Sequence, residues 1–90
     1  MFYAYVLKSI KNRNLYTGYT NDLKKRIKEH KSGVSAYTKY RGPYELIYYE
    51  ACLNKFDAKA REIYLKSGRG KLFLKSRLKR YLEGMGPVQK

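Results

Sequence analysis

The chain begins with two short apolar and aromatic runs separated by a polar segment, and this pattern predicts a β-hairpin. Residues 2–7 are continuously apolar or aromatic, which is typical of a strand covered on both faces. Residues 9–14 are mostly polar and include two asparagines, which suits a hairpin loop. Residues 15–19 then form a second, antiparallel strand, in which Gly18 favours the close approach of a neighbouring group. We therefore expect the fold to contain this antiparallel pair.

The remainder of the chain alternates between helical and strand patterns. Asn54, followed three residues later by Asp57, resembles a capping box that starts a helix. The predicted elements are a helix at residues 22–31, a loop at 32–43, a strand at 44–52, a helix at 55–66, a break at 67–70 and a last helix at 71–83. We predict one α/β (α+β) domain, residues 1–83, with a small three-stranded, mainly antiparallel sheet flanked by about three helices, and a frayed tail at residues 84–90.

The charge balance indicates a polyanionic partner. The 90 residues contain 21 lysines and arginines against 7 aspartates and glutamates, a formal net charge of +14. Such an excess destabilises a compact state by self-repulsion unless a polyanion such as nucleic acid offsets it. The 11 tyrosines, interleaved with the basic residues, also suit contact with phosphates and exposed bases. A merely soluble basic protein is the plainer alternative, and a membrane-surface role is disfavoured because the positive charge is spread over the whole chain.

Cysteine usage and hydropathy indicate the compartment. Cys52 is the single cysteine, so the sequence holds neither a disulfide framework nor a cysteine-based zinc site, and we expect this residue to be small and buried. No segment is long enough to cross a bilayer, and the apolar N-terminal run is too short for a signal peptide. We therefore expect a cytoplasmic protein with no membrane partner.

The predicted first helix places an arginine and the single histidine near the face that must be buried. At about 100° per residue, Ile27 and His30 fall within about 40° of Leu23 on a helical wheel, with Arg26 about 60° to one side. Glu29 points elsewhere, so this face offers no carboxylate to a buried arginine, which needs a partner. We predict that Arg26 and His30 line a pocket beside the strands and receive a phosphate. The alternatives are a distant salt bridge for Arg26 and a hydrogen-bonded position at the edge of the core for His30.

The carboxylates restrict the phosphodiester chemistry that the chain can support. Only 7 are present, and they form no paired cluster in the sequence, whereas a two-metal nuclease site needs several converging carboxylates. A single Mg²⁺ can be held by one carboxylate together with water and substrate oxygens. The residues alone do not choose that carboxylate, and Glu62 is spaced to pair with Lys66 one helical turn further on.

Several short motifs, taken in their order and spacing, resemble those of the GIY-YIG nuclease family. Ala-Tyr-Val at residues 4–6 resembles the GIY element, and Tyr-Thr-Gly at residues 16–18 resembles the YIG element, with Ala4, Val6 and Thr17 departing from the family's letters. The further matches are Thr20, Asn21, Asp22, Leu23, Arg26 and His30 in the first helix, residues 38–49 at the third strand and residues 60–66 in the following helix. The asparagine that some members carry after that helix has no clear match. The resemblance covers nearly the whole chain and is greatest to the small stand-alone bacterial members, which are also similar to the nuclease domain of the nucleotide-excision endonuclease subunit.

The resemblance implies an endonuclease that depends on Mg²⁺ or Mn²⁺ and hydrolyses phosphodiester bonds in DNA or, alternatively, in RNA. Glu62 would bind the metal ion, Arg26 would stabilise charge on the phosphoryl oxygens, and Tyr16 would bind the water or the phosphate. The implied catalytic residues are Tyr5, Tyr16, Arg26, His30 and Glu62, and the candidates for backbone-phosphate contacts are Lys39, Arg41, Lys66, Arg69 and Lys71. The rival interpretation is a non-catalytic basic module of the same fold that binds nucleic acid, and a third is a subunit of an RNA–protein assembly.

The resemblance leaves the general base open between Tyr5 and His30. Tyr5 would position or deprotonate the attacking water, but an ordinary tyrosine pKa of about 10 is too high for a good base at neutral pH. Arg26, the metal ion and His30 would have to lower that pKa, because nearby cations favour the phenolate. We therefore expect a Tyr5 hydroxyl that its neighbours have made more acidic.

Overall fold

The computed structural model describes residues 1–32 and 43–84, which form a three-stranded sheet and four helices. The elements are β1 (Phe2–Ser9), β2 (Leu15–Thr20), α1 (Leu23–Ser32), β3 (Tyr44–Cys52), α2 (Lys55–Lys66), α3 (Gly68–Arg77) and α4 (Lys79–Glu83). β1 is the central strand, and it pairs antiparallel with both β2 and β3. The predicted α+β class and antiparallel sheet are confirmed. The predicted loop and tail lie outside the described residues, except for their ends.

Successive residues of β1 face two different groups of side chains, because side chains alternate between the two faces of a sheet. Ala4 packs into a cluster with Leu65 of α2 and Leu74 of α3. The next residue, Tyr5, belongs to a second cluster, against which Ile27 of α1 packs. The sheet therefore carries α2 and α3 on one face and α1 on the other.

The start of α1 is set by the last residues of the hairpin. Thr20 Oγ1 accepts a hydrogen bond from the backbone N–H of Asp22 at 3.0 Å. The Asp22 carboxylate in turn accepts one from the backbone N–H of Lys25 at 3.2 Å, which caps the helix. These two bonds turn the chain directly from β2 into α1.

The orientation of α2 is fixed by a cap and by a partly buried ion pair. Asn54 Oδ1 accepts hydrogen bonds from the backbone N–H groups of Phe56 and Asp57, at 2.8 and 3.4 Å, as the capping pattern predicts. Arg61 donates Nε and Nη2 to the two carboxylate oxygens of Glu50 on β3, at 2.7 and 2.9 Å. This forked geometry resists rotation of α2 and so determines which of its side chains face β2.

Two predicted features of the C-terminal part differ from the structure. The break predicted at residues 67–70 is limited to Ser67, and the single helix predicted at residues 71–83 is divided into α3 and α4. Ser67 Oγ accepts a hydrogen bond from the backbone N–H of Gly70 at 3.1 Å and caps α3, which begins at Gly68. A Cβ on Gly70 would collide with the backbone carbonyl of Tyr64. The glycine therefore allows α3 to begin directly against the end of α2. α3 and α4 separate at Leu78, whose φ of −107° and ψ of 24° leave the helical region.

Cys52 is half-buried, whereas the sequence predicts a buried residue. The reason is its position in the last pair of the β1–β3 ladder, opposite Phe2, where the sheet ends. In the part of the chain that the structure describes, no helix is both long enough and apolar enough to cross a bilayer.

Candidate functional site

The centre of the candidate site is the hydroxyl of Tyr5, a fully buried side chain on the central strand. Gly18 of β2 lies directly opposite Tyr5 in the register of the hairpin. A Cβ at position 18 would lie 2.5 Å from both Cζ and Oη of Tyr5, well inside van der Waals contact. The glycine therefore makes room for the end of the tyrosine ring against β2, and the close approach that the sequence predicts is made by Tyr5.

α1 brings two polar side chains to the Tyr5 hydroxyl. His30 Nε2 lies 3.0 Å from Tyr5 Oη, and Arg26 Nε donates to the same oxygen at 3.4 Å. The guanidinium can only donate, so Tyr5 Oη accepts from Arg26 and keeps its own proton to donate. Nε2 of His30 accepts that proton in the neutral tautomer that carries its proton on Nδ1. The helical wheel correctly predicts that α1 turns both groups toward the strands, and their catalytic roles stay predictions.

Tyr16 of β2 completes an aromatic cluster around this hydrogen bond. Its ring centroid lies 5.3 Å from that of His30 at an angle of 62°, an edge-on contact. The same ring lies 6.3 Å from that of Tyr5. The structure thus groups four of the five predicted catalytic residues, namely Tyr5, Tyr16, Arg26 and His30.

Arg26 has a carboxylate partner on its own helix, and the sequence prediction was wrong on this point. Arg26 Nη1 lies 2.9 Å from Glu29 Oε1. Residues three apart are neighbours on a helix surface. The side chains of Arg26 and Glu29 are long enough to meet although they leave the helix in different directions. The guanidinium therefore holds Glu29 through Nη1 while its Nε reaches Tyr5.

The environment keeps Tyr5 and His30 uncharged near neutral pH. Burial raises the pKa of Tyr5 to about 12, and the hydrogen bond from Arg26 offsets only part of that rise. Burial, and secondarily the positive charge of Arg26, lower the pKa of His30. The hydrogen bonds to Tyr5 and Glu29 raise the pKa of Arg26, which stays charged. The expectation of an acidified Tyr5 is therefore wrong for the protein alone, because desolvation outweighs the nearby cation.

Glu62 lies on α2, which packs against the opposite face of the sheet from α1. Its Oε2 is 2.9 Å from Lys66 Nζ, so the pairing that the sequence offers as an alternative is present. The Glu62 side chain is 22% exposed and that of Lys66 is 54% exposed. Because Lys66 is flexible and largely solvated, it holds the carboxylate only weakly.

The side chains that could bind a metal ion fit a site for one ion more readily than a site for two. Within residues 1–32 and 43–84, no three His, Cys, Asp or Glu side chains converge as a metal-binding group. A Mg²⁺ ion bound through one carboxylate keeps several waters and takes further oxygens from substrate phosphates. Glu62, solvent-accessible and paired with a surface lysine, is compatible with that mode of binding.

Two of the predicted backbone-contact residues lie beside Tyr16. Lys66 and Lys71 line a cavity of about 280 Å³ together with this tyrosine. Arg69 is exposed in the first turn of α3. Lys39 and Arg41 lie outside the described residues.

Sequence reasoning missed a second group of cations on the other side of Glu62. Lys55 and Lys59 of α2 line a cavity of about 490 Å³ together with Lys25 and Arg26 of α1. Lys59 Nζ also lies 5.4 Å from the centroid of the Tyr19 ring. The four-residue spacing of the two α2 lysines was the available signal, because it places them on one side of the helix.

Comparison with known proteins agrees with this fold. A family model described as the GIY-YIG catalytic domain matches residues 1–81. A UPF0213 protein of Clostridium perfringens is 52% identical over 67 residues, which are 73% of this chain and 71% of that protein. A UPF0213 protein of Streptococcus pyogenes serotype M1 is 48% identical over 65 residues, 71% of this chain and 70% of its own. The solution NMR structure of a UPF0213 protein from Bacillus halodurans is 35% identical, covers 100% of both chains and has a TM-score of 0.55.

Proposed function

Because this chain belongs to the GIY-YIG family, a family of nuclease-type domains, we propose that it is a divalent-metal-dependent endonuclease that hydrolyses phosphodiester bonds in DNA. The observation that carries the proposal is the pair of hydrogen bonds from Arg26 to Tyr5 and between Tyr5 and His30. In this proposal residues 1–83 are the catalytic domain, the chain acts in the cytoplasm, and the net charge of +14 serves to bind the substrate.

Tyr5 and His30 together form the path for the proton of the attacking water. The high pKa of Tyr5 leaves almost no phenolate at neutral pH, so the reactive form is the neutral hydroxyl. Once water reaches this buried group, the hydroxyl can take a proton from it while passing its own proton to His30. His30 can receive that proton because its lowered pKa keeps the ring neutral at physiological pH. The water oxygen then bonds to phosphorus, the bond from phosphorus to the leaving sugar oxygen breaks, and solvent protonates that oxygen.

Arg26 and Tyr16 stabilise the phosphate during this displacement. The Arg26 guanidinium is half-exposed and charged, so it can turn from Glu29 to the phosphoryl oxygens, where negative charge accumulates. The hydroxyl of Tyr16 extends from the same cluster and orients the water or the phosphate.

Glu62 is the residue that would hold a Mg²⁺ or Mn²⁺ ion, whose contribution is that of a Lewis acid that neutralises charge on the phosphate. To bind the ion, Glu62 gives up its contact with Lys66, which is then free to bind the backbone of the substrate. Lys71, Arg69, Lys39 and Arg41 are further proposed contacts to that backbone.

The alternative is a basic module that binds nucleic acid and cuts nothing. The ion pair between Glu62 and Lys66 favours it, because an i to i+4 pair of this kind is an ordinary feature of a solvated helix. The two functions differ in their response to metal ions, since binding by a basic module depends on salt and is indifferent to a chelator.

The decisive experiment measures cleavage of labelled single-stranded, duplex and branched DNA, and of single-stranded RNA, with Mg²⁺, Mn²⁺ or EDTA. The wild-type protein is compared with Glu62→Gln and with Glu83→Gln, which removes the same charge from the exposed surface of α4. We expect cutting that requires metal, disappears in Glu62→Gln and persists in Glu83→Gln, with binding retained by all three proteins. Tight, salt-dependent binding without cutting under any condition would support the module instead, and preferential cutting of RNA would correct the substrate.

A further inference from the structure

The outer face of α2 exposes large apolar side chains to solvent. Phe56 is 72% exposed and Ile63 is 70% exposed. Ala60, between them in the sequence, is exposed as well. With about 100° per residue, these three positions fall within about 60° of one another, so they form a continuous apolar stripe along the helix. Single exposed apolar residues are common, whereas several aligned along one side of a helix form a candidate surface for binding another molecule.

A row of lysines runs parallel to the apolar stripe on the same helix. Lys55, Lys59 and Lys66 lie about 60° to 100° from Phe56, on the side of α2 that faces β2. This placement agrees with the structure, in which Lys59 contacts the ring of Tyr19 and Lys66 lines a cavity with Tyr16. Glu62 lies on the same side as the lysine row. The apolar stripe, the lysine row and Glu62 therefore follow one another around α2.

We propose that this surface binds single-stranded nucleic acid along α2, with the bases against the apolar stripe and the phosphates against the lysine row. The inference deepens the proposed function, on which it rests, by naming the form of the substrate. A strand with unpaired bases presents apolar faces on one side and phosphates on the other, the same division that α2 presents. A duplex keeps its bases stacked inside and offers phosphates and groove edges, which leave Phe56 and Ile63 without a counterpart.

The charge of the surface favours this occupant over a second copy of the chain. Each copy carries a formal net charge of +14, and self-association through α2 would bring two lysine rows together. The surface is also continuous with the residues of the proposed nuclease site. A strand that follows the lysine row places a phosphate between Lys59 and Lys66, which is where Glu62 lies.

The test compares the affinities for a short mixed-sequence oligonucleotide, single-stranded and as a duplex with its complement, by fluorescence anisotropy in EDTA. The variants are Phe56→Ser with Ile63→Ser, and the matched control is Leu72→Ser, an equally exposed apolar residue (67%) on α3. All three substituted side chains face solvent, so we expect the fold to persist, which the thermal midpoint checks. The single variant Phe56→Ser serves if the double variant unfolds.

We expect the double variant to lose about ten-fold or more in affinity for the single strand, because each base packed on an aromatic side chain contributes substantially to binding. Its affinity for the duplex and both affinities of Leu72→Ser should stay unchanged, and Lys59→Ala should weaken both complexes. Equal losses on single strand and duplex, or no loss, would overturn the inference. So would a lower mass of the double variant than of the wild type in sedimentation velocity, which would make the stripe a contact between copies. Because the assay contains no free metal, its outcome does not depend on whether the protein cuts.

Discussion

The hydroxyl oxygen of Tyr5 lies 3.0 Å from Nε2 of His30, and burial raises the pKa of the tyrosine while it lowers that of the histidine. With the pKa values moved apart in this way, the proton rests on the phenol oxygen and the imidazole is neutral, so a proton donor lies beside an unprotonated acceptor. An active site needs that property when a water molecule must lose its proton without a strong free base.

Gly18 is expected to be intolerant of even one added carbon. In Gly18→Ala the new Cβ would lie 2.5 Å from Cζ and Oη of the fully buried Tyr5, so the ring or the strand must shift. We expect a loss of about 1–3 kcal/mol in the free energy of unfolding, as for overpacked cores, together with weaker cleavage. Urea denaturation measures the first effect and a cleavage assay the second.

Gly68→Ala is the matched control for that substitution. An added Cβ at Gly68 meets nothing within 4 Å, and the residue lies in the first turn of α3. Removing a helical glycine should stabilise the protein by up to about 1 kcal/mol. A Gly18→Ala variant as stable and as active as Gly68→Ala would contradict the close packing of Tyr5 against β2.

The stability of the protein should fall as the solution becomes acidic, with a contribution from His30. Its pKa in the folded state is lowered, chiefly by burial, so the unfolded chain, with a histidine pKa of about 6.5, takes up the proton first. The contribution of His30 is therefore fully present above about pH 6.5 and is lost as the pH falls toward the folded-state pKa. Urea denaturation at several pH values should show this slope in the wild type and a shallower one in His30→Gln. Identical slopes would mean that His30 does not titrate differently in the folded state.

Much of this arrangement is predictable from sequence because it depends on local periodicity. The apolar runs that predict β1 and β2, and the helical spacing of Leu23, Ile27 and His30, are sufficient to place the histidine against the strands. A helical wheel treats each side chain as a direction, however, and ignores its length. For that reason it missed the bond between Arg26 and Glu29, whose side chains span the gap between their directions.

Features that depend on the contact between two elements were not predictable. In the sequence, Gly70 looks like part of a break between two helices. The structure places it inside α3, where the backbone of Tyr64 leaves no room for a side chain. The exposure of Phe56 and Ile63 was not predictable for the same reason. Which side of α2 is buried depends on contacts with the sheet, such as the pairing of Arg61 with Glu50.

Arg26→Lys tests whether the geometry of the guanidinium matters beyond its charge. Lysine keeps the positive charge but has one ammonium nitrogen in place of the two fixed guanidinium nitrogens, Nε and Nη1, through which Arg26 bonds Tyr5 and Glu29. We expect a loss of about 100-fold in the rate of cleavage, with affinity for DNA changed little. Arg80→Lys, a change in the short helix α4, is the control and should cut normally. Full activity in Arg26→Lys would reduce the role of this residue to its charge.

Tyr5→Phe removes the hydroxyl through which, in the proposed mechanism, the proton of the attacking water passes to His30. The variant keeps the buried ring and removes only the hydroxyl that lies between Arg26 and His30. The control is Tyr81→Phe. It removes a hydroxyl that donates to Glu45 Oε1 at 2.8 Å and that is not part of the candidate site.

The measurement is single-turnover cleavage of DNA with Mg²⁺, alongside binding in EDTA. We predict that Tyr5→Phe binds DNA like the wild type and cuts it about 100-fold more slowly or worse, while Tyr81→Phe cuts normally. Cleavage by Tyr5→Phe at the wild-type rate would rule out a proton path through this hydroxyl.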